Sequence, residues 1–382
     1  MIYFDNSATT KINPEAVKTY NIVSDKIWGN PSSLHNFGAE AHNLLSQSRD
    51  QIAKLLHVKP NEILFTSGGS EGDNWAIKGT ALAKRKFGNH IITTSVEHAA
   101  VYNSMHTLEK LGFDVTYLPV DKYGRISVTD LKNAIRPTTI LVSVMAINNE
   151  IGTIEPIKQI AQLLKHYPKI NFHVDAVQAV GKGLEKQIFN GRTDFAAVSG
   201  HKFHAPRGTG FIYAREGRRF APLIDGGGQE FGMRSGTENL PGIAAMAKAL
   251  RLDMQNEPQK IAHQRHVKSV IYNHVKKFPK VHIFSKNDDT FAPHILCFAI
   301  MGVRGETVVH AFEKYGIYIS TTSACSSQNG APSHTLSAMK VPEPVSRGAI
   351  RISLSDQNTV AEAQRFNRVF DKLYSQFSKL SD

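Results

Sequence analysis

A chain of 382 residues with 41% apolar side chains can bury one large core and a second, modest one, and its 20% of charged residues, free of long like-charge blocks, exclude a disordered chain. The 45 Lys and Arg outweigh 33 Asp and Glu by +12, but in short clusters such as Lys84-Arg85-Lys86 and Lys276-Lys277, with no nucleic-acid motif around them. They predict a solvated surface or a face for an acidic partner; direct nucleic-acid binding is not expected.

No apolar run approaches the roughly 20 residues needed to span a bilayer, and the N-terminus lacks a signal core, so no membrane contact and a cytoplasmic location are expected. Two cysteines, Cys297 and Cys325, cannot build a disulfide framework, which fits a reducing compartment.

From Asn61 to about Tyr213 short β-rich runs alternate with amphipathic stretches. Glu62–Thr66, His90–Thr94, Asp114–Leu118, Thr139–Met145, Asn171–Val174 and Asp194–Val198 predict strands apolar enough to be buried on both faces. Between them, Glu155–His166 predicts a helix, with Pro156 in its first turn, Ile157, Ile160, Leu163 and Leu164 at helical spacing, and Pro168 beyond its end. The rhythm is that of a mainly parallel sheet with crossover helices. A long helical pattern then runs from Leu240 to about Val275, broken near Pro258. Beyond it, strands at His294–Ile300, Gly316–Ile319 and Gly348–Ser353, helices at Arg304–Tyr315 and Thr359–Phe377, and a polar loop from Thr321 to Ser333 predict a smaller α+β domain.

Three places carry chemistry. Phe65-Thr-Ser-Gly-Gly-Ser-Glu71 leads from a strand through small residues into a helix, leaving backbone N–H groups aimed at one point. It is neither a Walker A loop nor a dinucleotide fingerprint, and both a phosphate cradle and an ordinary tight turn fit it. Phe172-His-Val-Asp-Ala-Val-Gln178 puts Asp175 at the carboxyl end of a strand, where α/β sheets bind ligands and where Asp also caps helices. Val198-Ser-Gly-His-Lys202 delivers a lysine from an apolar strand into a Gly- and Pro-containing loop. A desolvated lysine is a nucleophile for Schiff bases, and such a lysine plus an acid for the pyridine nitrogen is the general pattern for pyridoxal phosphate. Of the cysteines, Cys325 stands in the small, polar run Ser323-Ala-Cys-Ser-Ser327, which exposes a thiol, while Cys297 in Ile295-Leu-Cys-Phe reads as a core residue. His98, after Ser95-Val-Glu, suits either a helix cap or a role at the site.

Taken together these residues resemble the pyridoxal-phosphate cysteine desulfurases of the NifS/IscS type, within the class V aminotransferase group. The likeness runs through Tyr3 to Thr10, Gly29 to Ser33 with His35, Thr66 to Glu71, Glu97-His98, Asn148 to Gly152, His173 to Gln178, Ser199 to Lys202, Gly226 to Glu230, Arg234 to Thr237, Ser323 to Ser327 and Arg351 to Ser353. It implies an α/β fold of the type I aminotransferase kind: an N-terminal segment (1–13) packing with the small domain, a large cofactor domain (14–257), and a small C-terminal domain (258–382) carrying the Cys325 loop (321–333).

The resemblance further implies Lys202 as the lysine that binds pyridoxal 5'-phosphate, Asp175 at its pyridine nitrogen and Gln178 at its ring hydroxyl. His98 would stack on the ring and assist proton transfer. Gly69, Ser70, Ser199 and His201 would hold the phosphate, with Thr237 reaching the partner's phosphate in a homodimer. Asn149 and Arg351 would position the substrate, Asn149 at the cofactor as well and Arg351 by clamping the carboxylate of L-cysteine. Cys325 would take the sulfur as a persulfide, leaving alanine, and hand it to an acceptor protein such as an iron–sulfur scaffold or a tRNA-thiolation enzyme. Other class V activities, a selenocysteine lyase or an aminotransferase, would share Lys202 and Asp175; Cys325 discriminates. The chain departs from the usual pattern at Ser7, at Gly72-Asp73 and in the stretch His204 to Thr209.

Overall fold

The computed structural model describes residues 1–322 and 333–378. Thirteen strands are found among them: β1 (Ile2–Tyr3), β2 (Ile63–Thr66), β3 (His90–Thr94), β4 (Asp114–Leu118), β5 (Thr139–Met145), β6 (Asn171–Asp175), β7 (Phe195–Ser199), β8 (Gly210–Ala214), β9 (Val281–Ile283), β10 (Ile295–Ile300), β11 (Ile317–Tyr318), β12 (Ser320–Thr321) and β13 (Ala349–Ser353). Seven of them form one sheet in the order β2-β8-β7-β6-β5-β3-β4. All neighbours are parallel except β8, which runs against both β2 and β7. The mainly parallel sheet thus follows the sequence reading. Strand β8 does not: the sequence places the end of a loop at Gly210, where the structure starts a strand.

Period-2 alternation gives this sheet two unlike faces. Ile92, Val142, Val144, Phe172, Val174, Ala196, Val198 and Phe211 join the larger core with helices Pro14–Lys26, Asn36–Leu56, Ile157–Leu164 and Leu240–Met254. On the opposite face, helix Gly69–Lys84 crosses the sheet, its Trp75 and Ala76 packing with Phe195 and Ile212 and its Ile77 and Ala81 with Ile91. On β6 that second face carries Asn171, His173 and Asp175, all buried. An apolar strand therefore turns a polar stripe toward one helix.

The other large cluster is built by Val267, Ile271 and Val275 of helix Glu257–Val275, Leu296, Phe298 and Ile300 of β10, Ile350 and Ile352 of β13, and Phe366 and Phe370 of helix Val360–Ser378. Its sheet is antiparallel, in the order β12-β13-β10-β9. Phe312 and Phe366 stack with ring centroids 4.6 Å apart, and Phe4 lies in the same cluster. The break near Pro258 is a left-handed Asn256 between two helices that belong to different cores. Among the described residues no helix is long and apolar enough to cross a membrane.

Among the described residues, one lysine is buried with no salt bridge. Lys268 is fully buried and its Nζ donates to the carbonyl of Ala292 at 2.9 Å; burial, then Arg265, pushes its pKa down to about 7. The unfolded amine binds its proton more tightly, so native stability should rise as the pH climbs from about 7 towards the ordinary lysine value. Lys268→Met should therefore raise the melting temperature more at about pH 6 than at about pH 9. Equal gains in thermal melts at the two pH values would contradict this assignment.

Candidate active site

The carboxyl ends of β5, β6 and β7 open on the same edge of the sheet, and the residues that follow them converge there. Asp175 closes β6 opposite Met145 of β5 and Ala197 of β7. Its Oδ1 accepts the N–H of Val177 at 2.9 Å, which fastens a turn; no helix starts there for the carboxyl to cap. Burial raises its pKa, while His98, the Val177 N–H and Lys202 pull it back down.

Strand β7 ends at Ser199, and a single 3-10 turn, Gly200–Lys202, swings the lysine into the site. Its Nζ donates to the carbonyls of Ser7 (2.5 Å) and Ala8 (2.9 Å). Gln178 Nε2 donates to the same Ser7 carbonyl at 3.0 Å. The N-terminal segment thus holds the lysine by its backbone, which is why Ser7 in place of a commoner residue costs the site nothing there.

The small-residue turn after β2 opens helix Gly69–Lys84. The amides of Gly69, Ser70 and Glu71 lie in its first turn, where no intrahelical acceptor exists. A side chain on Gly69 would collide with Val177, and one on Gly210 would strike the backbone of Gly68. Ser199 is buried beside this turn, so that a methyl on Gly68 would stand 3.6 Å from its Oγ. His201 follows, its Nδ1 3.2 Å from Thr9 Oγ1. Burial and the adjacent Lys202 hold its pKa down to about 4, so its ring is neutral. Backbone N–H groups, a buried hydroxyl and a helix N-terminus make a cradle for an anion.

His98 caps helix Ala99–Lys110, its Nδ1 accepting the N–H of Ala100 at 3.2 Å. The cap reading of His98 holds, and polar atoms of His98, Asp175 and Asp73 all lie within 4.8 Å of one another. With Nδ1 accepting there, the ring's N–H is left on Nε2. Preceding it, Glu97 is buried and accepts from Thr94 Oγ1 (2.8 Å) and Met145 N (3.0 Å), with its pKa pushed well up by burial.

Arg351 lies on β13, buried, and its two terminal nitrogens reach in different directions: Nη1 to the carbonyl of Asn149 (2.9 Å) and Nη2 to Asp5 Oδ1 (2.8 Å). Asp5 was not singled out in the sequence, although it sits inside the Tyr3–Thr10 match. The same holds for Glu150 and Asn148. Glu150 accepts from Ser333 Oγ, Asn148 Nδ2 donates to Thr335 Oγ1 (3.3 Å), and His334 lies 4.3 Å from the Tyr102 ring. Three consecutive residues are thereby fastened to the large sheet's loops.

Not every expected residue is gathered here. Thr237 is exposed, as is Ser70 at the helix start. Cys297 is fully buried on β10 with its thiol pKa well raised. Cys325 lies outside the described residues.

This constellation on this sheet, with a lysine after one strand, an acid at the end of the next and an anion cradle at a helix start, defines a pyridoxal-phosphate enzyme of the aminotransferase fold. The chain belongs to the class V aminotransferase family, whose model matches residues 2–366. A "NifS/IcsS protein homolog" of Lactobacillus delbrueckii subsp. bulgaricus is 56% identical over 381 residues, covering 100% of this chain and 99% of that protein. A "Cysteine desulfurase IscS" of Clostridium botulinum is 42% identical over 382 residues, covering 100% and 96%. Among solved structures, a "NIFS-LIKE PROTEIN" superposes with a TM-score of 0.91 at 37% identity, covering 98% of this chain and 99% of that one.

The residues fit the family's cofactor. Asp175 offers a buried carboxylate for a protonated ring nitrogen, Lys202 an amine, and the turn at Gly69 a cradle that any side chain would fill. Gly69→Ala should therefore weaken cofactor binding about tenfold or more, as overpacking displaces Val177 or the helix start. Absorbance titration of the apoprotein with pyridoxal phosphate measures it; unchanged affinity would move the cradle elsewhere.

Proposed function

We propose that this chain is a cysteine desulfurase: it removes the sulfur of L-cysteine, leaves alanine, and carries the sulfur on Cys325 to an acceptor. The observation that carries the reading is the convergence of Lys202, Asp175 and His98 on one strand edge beside Arg351, in a chain that also has a Cys325 between small polar residues. The names of its relatives support it.

Pyridoxal phosphate bound at this site supplies an electron sink for charge developing at the substrate Cα. Gly69, Ser70, Ser199 and His201 would hold its phosphate, Asp175 its ring nitrogen and Gln178 its ring hydroxyl. Lys202 anchors it and takes the Cα proton; the Ser7 and Ala8 carbonyls aim the amine. Arg351 binds the substrate carboxylate by a charge-assisted bond, with Asn149 beside it. His98, its Nδ1 tied to Ala100, presents its Nε2–H as the group that moves a proton. The Cys325 thiolate attacks the substrate sulfur and a persulfide forms on Cys325 as the C–S bond breaks; the bond's electron pair stays with the carbon fragment, which is protonated to give alanine, and the persulfide is a state a second thiol can discharge.

A homodimer is part of the proposal, with Thr237 completing the partner's phosphate site. Trp28 (73% exposed), Leu34 (102%) and Phe231 (63%) are large apolar groups in solvent, as an interface between copies would use. The acceptor is a protein with a reactive thiol, either an iron–sulfur scaffold or a tRNA-thiolation enzyme, and the setting is cytoplasmic.

Incubating the holoenzyme with L-cysteine and following alanine and protein-bound sulfur tests the reading. Cys325→Ala should bind cofactor and still change spectrum with L-cysteine, yet make almost no alanine, and mass spectrometry of wild type should find one added sulfur on the Cys325 peptide. Normal alanine formation by Cys325→Ala would favour a lyase or aminotransferase instead. Arg351→Ala should keep the cofactor spectrum and lower kcat/KM by roughly 2–5 kcal/mol in transition-state terms. Steady-state kinetics with L-cysteine decide it.

A further inference from the structure

One buried acid has no part in the steps above. Helix Gly69–Lys84 lays Asp73 against the polar stripe of β6, where its side chain is 1% exposed. Asp73 Oδ1 has no hydrogen-bond partner and lies 3.4 Å from His173 Nε2, which is itself without one. His173 Nδ1 lies 2.9 Å from Ser143 Oγ on the neighbouring strand. If the hydroxyl donates to Nδ1, the ring proton sits on Nε2 and points at Asp73. Burial holds His173 at a pKa of about 3, so it brings Asp73 no charge.

The titratable groups around Asp73 come from three sides. Asp175 and His173 face it from β6, Glu97 and His98 from the turn after β3, and Lys202 lies beyond Asp175. Three of these six groups, counting Asp73, are carboxyls shut away from water. Carboxylates of Asp73 and Asp175 within 4.8 Å of each other in such a site cannot both be charged. Asp175 has the better claim to the charge, since it receives the Val177 N–H and the pull of the Lys202 amine, whereas Asp73 Oδ1 receives no hydrogen bond and lies against the neutral His173 ring.

We propose that Asp73 is a positioning residue that keeps a proton beneath Asp175, so that Asp175 alone directs negative charge at the cofactor's ring nitrogen. The inference rests on the reading above that Asp175 faces that nitrogen. Burial and the charges of Asp175 and Glu97 push the Asp73 carboxyl well up, in agreement with a retained proton. His173 and Ser143 then serve as its mount, holding the acid in place without adding charge.

The test uses apoprotein and needs no turnover. Wild type minus Asp73→Asn in the infrared, at neutral pH, should show the carbonyl band of one protonated carboxylic acid; a carboxylate band in its place overturns the proposal. A second readout is thermal. A folded acid with a raised pKa binds more protons than the unfolded chain, so wild type should lose stability relative to Asp73→Asn as pH rises from about 5 to about 8, the gap widening by several degrees. A constant gap would contradict it. Asp175→Asn supplies the coupling arm: with the neighbouring charge gone, the Asp73 band should titrate at lower pH than in wild type, and an unmoved titration would remove the link between the two acids. None of these measurements uses L-cysteine, so their failure is distinct from a failure of the desulfurase reading.

Discussion

Residues 5–10 are the joint on which the site depends. Two carbonyls there, of Ser7 and Ala8, hold the Lys202 amine, and the same strip of chain is bound on its other side by the small domain, through Asn6 to the Ser353 carbonyl (3.0 Å) and Ser7 N to Ser353 Oγ (2.8 Å). Thr10 continues the contact, donating to the His201 carbonyl at 2.9 Å. Backbone groups suit this work because their direction is set by the chain itself and carries no rotamer freedom. Two distant parts of the sequence, near 200 and near 353, are thus registered against each other by a segment that comes before both.

A second constraint is the period-2 face of β6. Phe172 and Val174 enter the larger core, which obliges Asn171, His173 and Asp175 to face helix Gly69–Lys84. Burying polar groups there is tolerated only where each meets a partner, and the neighbouring elements supply them: Thr80 and Lys84 of the helix for Asn171, Ser143 of β5 for His173, and the Val177 N–H of the following turn for Asp175. Asp175 is the last member of a ladder already organised by packing.

Much of this was legible in the sequence, for reasons that can be named. β3 and β5 begin and end where their apolar runs do, because buried parallel strands leave an uninterrupted signature, whereas β4, read as buried on both faces, is the sheet's edge strand and only its Leu118 is buried. Lys202 and Asp175 could be seen because a charged residue at the close of an apolar strand is out of place unless it has a task. Strand β8 escaped notice since Gly210 reads as loop, and only its close pass over Gly68 explains the glycine. Asp5 escaped because one acid in an N-terminal run carries no periodicity; its meaning lies in Arg351, 346 residues away. Asp73 and Glu150 were hidden in the same way, by partners that only the fold brings near.

The pairing of Arg351 with Asp5 changes what recognition at that position involves. The guanidinium is not an unshielded cation waiting in a low-dielectric recess, for it already has a counter-ion 2.8 Å away and a carbonyl at 2.9 Å. In the role proposed for Arg351, a carboxylate arriving at its fork would enter by exchange or by sharing, and its affinity would be set by the difference between two similar anions rather than by the whole attraction of a newly formed pair. Such a site favours ligands whose second group finds its own contact nearby, and it gives little hold to a simple carboxylic acid. Discrimination there is competitive, with one competitor supplied permanently by the chain.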